Sequence, residues 1–417
     1  MRPGTEKGSM EAETTALVEW AGLRAAPPPP PLVAVPARLA APSAIPPREW
    51  LYGTRLIRRF VTVLVAPGGV GKSAYALAQA LALATGRGFL GECVHHRVNA
   101  WVLNLEDPIE ELDRRLAALM LRHAIPHEAV AGRLFLHSGR ARRVVMGTRD
   151  AGGFLVHPDR ERIIAAARDA EIGLITVDPF VKSHALDENS NAEIDAAATA
   201  WAEVAQACGA AVQLVHHVRK GPREGAGDIE AARGAKALTD AARVGLVLSP
   251  MSEAEAEELG VTPGERWRHV RLDDAKANMA PRATRASWFR IETVPLGNGT
   301  PAYPHGDQVA ALAPWAPPSA FSRLRPEDCN RALDRIGAGP EPGTLYAAQR
   351  RGRGTERWAG RVLMREFGLS EAEAAQVIGA WLKSGVLAED EYRDGAQRKT
   401  RFGVRVVEAR RPTAARR

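Results

Sequence analysis

Residues 60–86, FVTVLVAPGGVGKSAYALAQALALATG, constrain this chain more than any other stretch. An apolar run long enough for a buried strand leads into a glycine-rich loop ending in Gly-Lys-Ser, and an apolar helix pattern follows at once. In that order the backbone N–H groups of loop and helix start converge on one point, which suits an anion such as a phosphate. The candidate cradle is Ala66, Pro67, Gly68, Gly69, Val70, Gly71, Lys72, Ser73 and Ala74. Lys72 would neutralise the β- and γ-phosphate oxygens of ATP, and Ser73 would give a hydroxyl to Mg²⁺. Ala66 departs from the general pattern, which has glycine there, and fits only if its backbone avoids positive φ.

Hydrolysis also needs a carboxylate for the metal and a base for the attacking water. GLITVD ends a buried strand in Asp178, a candidate Mg²⁺ carboxylate, and Pro179 follows it, so this strand supplies no adjacent acid. Glu106 follows the strand AWVLNL, and parallel strands of one sheet deliver their carboxyl ends to a common edge. Glu106 is therefore the candidate base, provided Asp107 caps the helix that begins at Pro108 and leaves Glu106 free. LVHHVRKG places His216 and His217 at a third strand end. Side chains alternate across a strand and no third ligand lies at a usable spacing, so a γ-phosphate sensor is favoured over a metal site, with a structural histidine as the alternative. CVHH at 93–96 fits a surface loop.

Strands alternating with helices from Phe60 onward imply an α/β fold with a mostly parallel sheet covered on both faces. RWRHVRLD and ASWFRIETV, with no helix between them, predict an antiparallel edge and an end to the sheet domain near residue 295. The expected organisation is a Pro-rich, mostly disordered segment over 1–45, an ATPase domain over 46–295, a Pro/Gly-rich linker over 296–325, a winged-helix-like domain over 326–408 and a basic tail over 409–417. In the fourth part LSEAEAAQVIGAWLKSG opens with a capping box from Ser370 to Glu373, and two strands are expected around a DGAQ turn.

The formal charge of the 417 residues is +7, and its location matters more than its size. Residues 393–417 hold nine Lys or Arg against two acids, which leaves 47 of each sign in residues 1–392. Nucleic-acid binding by the body would therefore need local clustering, while the tail favours phosphate contact. Three scattered cysteines exclude a disulfide framework and fit a reducing, cytoplasmic compartment; no run is apolar enough for a membrane span.

APGGVGKS, VLNLEDP, LITVDPF, DENSN, LVHHVRKG and AARGAKALTDAARVGLVL occur in the order and spacing of RecA-like P-loop ATPases. Together they resemble the RepA-type hexameric replicative helicases of plasmids and mobile elements over roughly residues 46–295. The resemblance implies ATP and Mg²⁺ as cofactors, with Lys72 and Ser73 on phosphate and metal, Glu106 as catalytic base, Asp178 as second metal carboxylate and His217 as γ-phosphate sensor. It also implies a homo-oligomeric ring with ATP between subunits, for which Arg233 and Lys276 stand where residues acting in trans are expected. Single-stranded DNA would meet Lys182, Arg219, Lys220 and Arg223 on the loops after two strand ends, and a replication initiator or primase would be a partner. A RecA-like regulator or loader that unwinds nothing is the second reading, and a winged-helix DNA-binding protein with a nucleotide switch the third.

Overall fold

The computed structural model describes residues 33–37, 40–218, 236–317, 321, 324–349, 355–394 and 399–412. The chain divides into two compact units, residues 1–48 and 49–417. In the first unit the described residues are exposed and hold one short 3-10 turn, Pro42–Ala44. Most of the expected disordered segment, residues 1–32, 38 and 39, lies outside the described residues.

In the second unit, strands β1 (Trp50–Tyr52) and β2 (Leu56–Ile57) form a small hairpin before β3 (Val61–Pro67), the strand that enters the glycine loop. Helix α1 (Lys72–Thr85) follows, then β4 (Asn99–Asn104), α2 (Ile109–Arg122), β5 (Leu134–Ser138), the short pair β6 (Thr148–Arg149) and β7 (Leu155–Val156), and α3 (Arg160–Asp169). Next come β8 (Ile172–Asp178), α4 (Asn191–Cys208), β9 (Ala211–Val218), α5 (Lys236–Ala241), β10 (Val244–Pro250) and α6 (Glu253–Glu258). Three long strands complete the sheet: β11 (His269–Ala277), β12 (Ser287–Pro295) and β13 (Gln308–Pro314).

The main sheet runs β13-β12-β11-β10-β3-β9-β8-β4-β5. From β10 to β5 each neighbouring pair is parallel, and from β10 to β13 each is antiparallel. This is the α/β arrangement expected, with β11 and β12 as the antiparallel extension. The P-loop strand β3 lies between β9 and β10, with β8 and β4 beyond β9. The carboxyl ends of β3, β9, β8 and β4 consequently share one edge.

Alternation along the strands divides the core into two layers. Leu64, Ala66, Ala211 and Val215 face α1 and α2, whereas Val61, Val63, Val65, Val212 and Leu214 face α4 and its buried Trp201. Helix α1 is apolar nearly all round, and every residue from Tyr75 to Ala84 is buried. The sheet covers one of its sides and the antiparallel strands another, with the Tyr75 and Phe289 rings 5.3 Å apart. The one amide side chain in that run, Gln79, accepts a 2.8 Å hydrogen bond from Gln213 on β9.

The sheet does not end at residue 295. Residues 308–314, expected as linker, form β13, paired with β12 from Phe289↔Pro314 to Pro295↔Gln308. The apolar run QVAALA sits in a Pro- and Gly-rich tract that hides it, and Pro314 is tolerated because an edge strand leaves one side of its backbone unpaired. The intervening turn is tied by Asp307, whose N–H donates to Asn298 Oδ1 at 2.8 Å and whose carboxylate accepts from Asn298 Nδ2 at 2.7 Å.

The C-terminal part holds α7 (Pro326–Ala338), α8 (Gly360–Phe367), α9 (Glu371–Ser384) and the hairpin β14 (Leu387–Asp394) with β15 (Lys399–Val406), around its own apolar core. Ser370 and Glu373 form the expected capping box. The DGAQ turn falls on 395–398, outside the described residues. No described helix is long and apolar enough to cross a membrane, and Cys93, Cys208 and Cys329 are free thiols.

One buried ion cluster fastens the β1–β2 hairpin to the antiparallel strands. Arg55, 3 % exposed, meets Asp274 at 3.1 Å, Ser287 Oγ at 2.8 Å and Glu92 at 3.1 Å. Replacing it strands two carboxylates in a low-dielectric site. Arg55→Met is expected to destabilise the protein by about 3 kcal/mol, seen as a fall of several degrees in the thermal midpoint. An unchanged midpoint would show that the cluster is not a fastening.

Candidate nucleotide site

Gly69 and Gly71 have φ of 80° and 96°, left-handed values that a side chain would strain, so the loop requires glycine at both. Gly68 has ordinary φ, and a Cβ there would meet nothing within 4 Å. The fold itself leaves that space open. Ala66 lies in β3, paired with His217 of β9 and without positive φ, so the departure from glycine costs the backbone nothing.

Helix α1 starts at Lys72 behind Gly71, which gives no side-chain cap, so the first-turn N–H groups keep their donors for another acceptor. They face a cavity of about 470 Å³ lined by Gly69, Gly71, Lys72, Ser73 and Ala74 on one side. Arg114 and Arg115 of α2 and residues 307–310 at the start of β13 form its other walls. An uncapped helix start, an open glycine and a buried lysine together fit a nucleotide phosphate chain.

Asp178, 3 % exposed at the end of β8, lies within hydrogen-bonding reach of the Ser73 hydroxyl. Burial pushes its pKa up, against the opposing pull of Ser73, Lys72 and His217. Burial likewise lowers the pKa of Lys72, and Asp178 and Glu106 work against that shift. Glu106 Oε2 is 4.0 Å from His217 Nε2. The pKa of His217 is lowered by burial first and by Lys72 second. Lys72, Ser73, Glu106, Asp178 and His217 thus meet at one edge, although they come from four separate parts of the sequence. A hydroxyl beside a carboxylate is the oxygen donor set a Mg²⁺ ion takes when it arrives with phosphates and water.

Asp107 does not cap α2. The N-cap is Pro108, and Asn104 holds Asp107 back, its Oδ1 accepting from the N–H of Glu106 at 3.1 Å and of Asp107 at 2.8 Å. The Asp107 carboxylate pairs instead with Arg115 at 2.7 Å. Glu106 is freed all the same, because Asn104 fixes its backbone from behind and Arg140 Nε donates to its carbonyl at 2.7 Å. Sequence reasoning missed Asn104, Arg114, Arg115, Arg140 and residues 307–310. Of these, only the buried Asn104 at a strand end gave a sequence signal, as a short polar residue able to hold its own following turn.

The adjacent histidines part company across β9. His217 faces the P-loop, while His216 turns to the α4 layer, 6.4 Å from the Phe180 ring. Burial first, then His217 and His184, push the His216 pKa down to about 4. Among the described residues no group of three or more His, Cys, Asp or Glu could hold a metal ion by itself.

Lys182 is exposed on the turn after β8, and with Glu106, Arg143 and His184 it lines a pocket of about 650 Å³. Lys276 lies on β11 away from the P-loop, its ammonium donating to the carbonyls of Thr239 at 2.8 Å and Asp240 at 3.2 Å at the end of α5. Arg219, Lys220, Arg223 and Arg233 lie outside the described residues. In the C-terminal hairpin the expected basic surface is partly neutralised. Arg405 pairs with Asp390 at 3.0 Å, and Arg401 with Asp394 at 3.3 Å. Farther along, Arg411 pairs with Asp334 at 2.8 Å.

Residues 26–223 match the family described as an AAA domain. A solved structure titled "Crystal structure of the RadB recombinase" is similar with a TM-score of 0.36 and 14 % identity, over 56 % of this chain and 88 % of that one. The strand order, the P-loop and the AAA match agree on a RecA-like α/β fold and a P-loop ATPase domain.

Two outcomes follow. Asn104→Ala is expected to lower kcat for ATP hydrolysis about ten-fold, a part of what a positioned base contributes, and to leave the affinity for a fluorescent ATP analogue unchanged. Equal losses in both would mean that Asn104 holds the fold and not the Glu106 backbone. For His216 the unfolded chain binds a proton below about 6.5 and the folded chain only below about 4. Stability from this group is therefore complete above about 6.5 and is lost as pH falls toward 4. His216→Leu should flatten the acid limb of the thermal midpoint against pH; a limb of unaltered slope would place the proton uptake elsewhere.

Proposed function

We propose that this protein binds ATP with Mg²⁺ and hydrolyses it to move along single-stranded DNA as a RepA-type ring helicase. The observation that supports this most directly is the gathering of Lys72, Ser73, Asp178, Glu106 and His217 at the carboxyl edge of the sheet, beside the P-loop cavity. Lys72 and the α1 N-terminus hold the phosphates, and Ser73 and Asp178 hold the metal and its water shell. Bound Mg²⁺ supplies charge neutralisation at the β- and γ-phosphates. Glu106 accepts a proton from the attacking water, and His217, 4.0 Å from Glu106, reports whether the γ-phosphate is in place.

The nucleoside half of ATP has room in the cavity against the wall that Arg114 and Arg115 of α2 form with residues 307–310 of the antiparallel strands. The site lies open on its outer side, which suits a neighbour subunit that completes it. Lys276, distant from its own P-loop, is available to such a neighbour if it leaves the α5 carbonyls, and Arg233 is the alternative trans residue. Lys182, Arg219, Lys220 and Arg223 contact single-stranded DNA in this reading, and Lys182 shares its pocket with Glu106, so strand binding is felt at the base.

The hairpin of the C-terminal unit favours a second reading for that part of the chain. Two of its arginines, Arg401 and Arg405, are matched by its own acids, while Trp358, Ile378 and Leu382 line a groove of about 630 Å³. This supports a winged-helix-like module that contacts a protein, such as a replication initiator or primase, over one that grips DNA. A loader without unwinding activity shares the same ATPase site.

Steady-state ATPase with and without single-stranded DNA tests the reading. Lys72→Ala and Glu106→Gln are each expected to lower kcat by at least 100-fold, with Glu106→Gln still binding nucleotide. Hydrolysis that survives both variants would remove the site assignment. Displacement of a strand from a forked duplex separates helicase from loader, and mass photometry with a non-hydrolysable analogue tests the ring.

A further inference from the structure

The opposite edge of the same sheet gathers a second set of charges. Arg58, Arg97, Arg133 and Glu171 stand one to three residues before the starts of β3, β4, β5 and β8. The parallel register that collects the catalytic groups at the carboxyl ends collects these four at the amino ends. They line one pocket of about 380 Å³ together with Val98, Asn99, Ala131 and Gly132.

None of the three arginines has a carboxylate partner among the described residues. Arg58 donates to the carbonyl of Gly209 at 3.0 Å, Arg97 to those of Ala84 and Ala129 at 2.9 Å each, and Arg133 to Asn99 Oδ1 at 3.3 Å. The carbonyls of Ala84 and Gly209 close helices α1 and α4, so part of this positive charge answers the helix dipoles. Capping leaves most of each guanidinium unused: Arg58 and Arg133 each spend one of five N–H donors and Arg97 two. Glu171, exposed at the pocket's rim, pairs with none of them. Three fixed cations against one acid in a polar concavity is a surplus that the fold does not consume.

We propose that this pocket binds a phosphate group, and that the group belongs to the backbone of a nucleic acid. Converging guanidinium forks match the tetrahedral oxygens of a phosphate better than the single carboxylate of an acidic peptide. The pocket is polar and offers little apolar wall to seat peptide side chains. A strand engaged here lies across the sheet from the nucleotide site and contacts the outside of the ATPase domain. The assignment to nucleic acid rests on the proposed DNA-dependent function; the assignment to phosphate does not.

The test uses the full chain and fluorescence anisotropy of a labelled 30-nucleotide single strand across a salt series. Arg58→Gln/Arg133→Gln keeps side-chain donors for the carbonyl and amide partners but removes two charges. It is expected to bind about ten-fold more weakly, with a log K against log salt slope shallower by about 0.7, the loss of one phosphate contact. Glu171→Gln should bind more tightly, and Arg58→Lys/Arg133→Lys should recover much of the affinity. Basal ATPase and thermal midpoint report whether the double Gln variant is folded. Unchanged affinity and slope in a folded double Gln variant overturn the proposal, as does displacement of the oligonucleotide by poly-glutamate as readily as by a second oligonucleotide.

If the wild-type chain binds no DNA, the function proposed above fails and the nucleic-acid source with it. The pocket is then decided by ³¹P NMR titration of pyrophosphate with the nucleotide site filled by ADP. Line broadening that vanishes in the double Gln variant assigns a free phosphate to the pocket, and no broadening in the wild type overturns it.

Discussion

Helix α1 is apolar on nearly every side, so the fold has to enclose it on every side. Burial of side chains such as Leu77, Leu81 and Leu83 stabilises the domain by roughly 1.5–3 kcal/mol each, and one sheet face cannot supply that cover. The antiparallel strands do, continuing from β10 until Phe289, Ala311 and Leu312 join the same core as α1. His123 of the α2 end then donates to the Leu312 carbonyl at 2.8 Å, and Arg114 pairs with Asp307 at 3.0 Å. The strands that complete the core therefore also deliver residues 307–310 to the P-loop. Core closure and the second wall of the nucleotide cavity are one event, which is why β13 cannot be a linker.

The charges in the cleft obey a different constraint. Lys72 is buried beside Asp178 and near Glu106, so one cation faces two carboxylates in a site of low dielectric. Burial raises the pKa of Asp178 because nothing in the protein alone fully compensates its charge. A triphosphate by itself would add to that negative excess. A triphosphate with a divalent cation would relieve it, and the Ser73 hydroxyl next to Asp178 is placed to share the metal. The electrostatics of the residues thus argue for the metal–nucleotide complex as the natural occupant.

What was legible in the sequence follows from locality. A strand ending in Asp178, another ending just before Glu106 and a third ending in His216 and His217 could be placed at one edge because parallel strands share a direction. Period-2 alternation alone separated the two histidines, and the structure puts them in different layers. Asn104 behind Glu106, Arg115 against Asp107 and β13 beside α1 depend on tertiary neighbours that no window of sequence contains. Asp107 looked like an N-cap because Asp before Pro usually is one; its carboxylate is held instead by Arg115, one turn or more into the helix. The residues that were misjudged are those whose partners lie across an element boundary.

Charge shows the same limit most clearly. The basic C-terminal run is conspicuous in sequence, yet β14 lies beside β15 with an acid for Arg401 and for Arg405, and these cross-strand pairs reduce what the linear count suggested. The arginines before β3, β4 and β5 are scattered and unremarked in sequence, yet the sheet brings them into one pocket. A parallel α/β layer has two chemically different edges: helix N-termini and strand ends at one, helix C-termini and strand starts at the other. The first edge attracts phosphate through uncapped N–H groups. The second recruits arginines to its carbonyls, as Arg87 at His123 and Ala124 and Arg168 at Ala207 also show. An arginine recruited as a cap brings a whole charge to answer a partial one, so the remainder accumulates at that edge and gives it an affinity for anions that composition alone does not reveal.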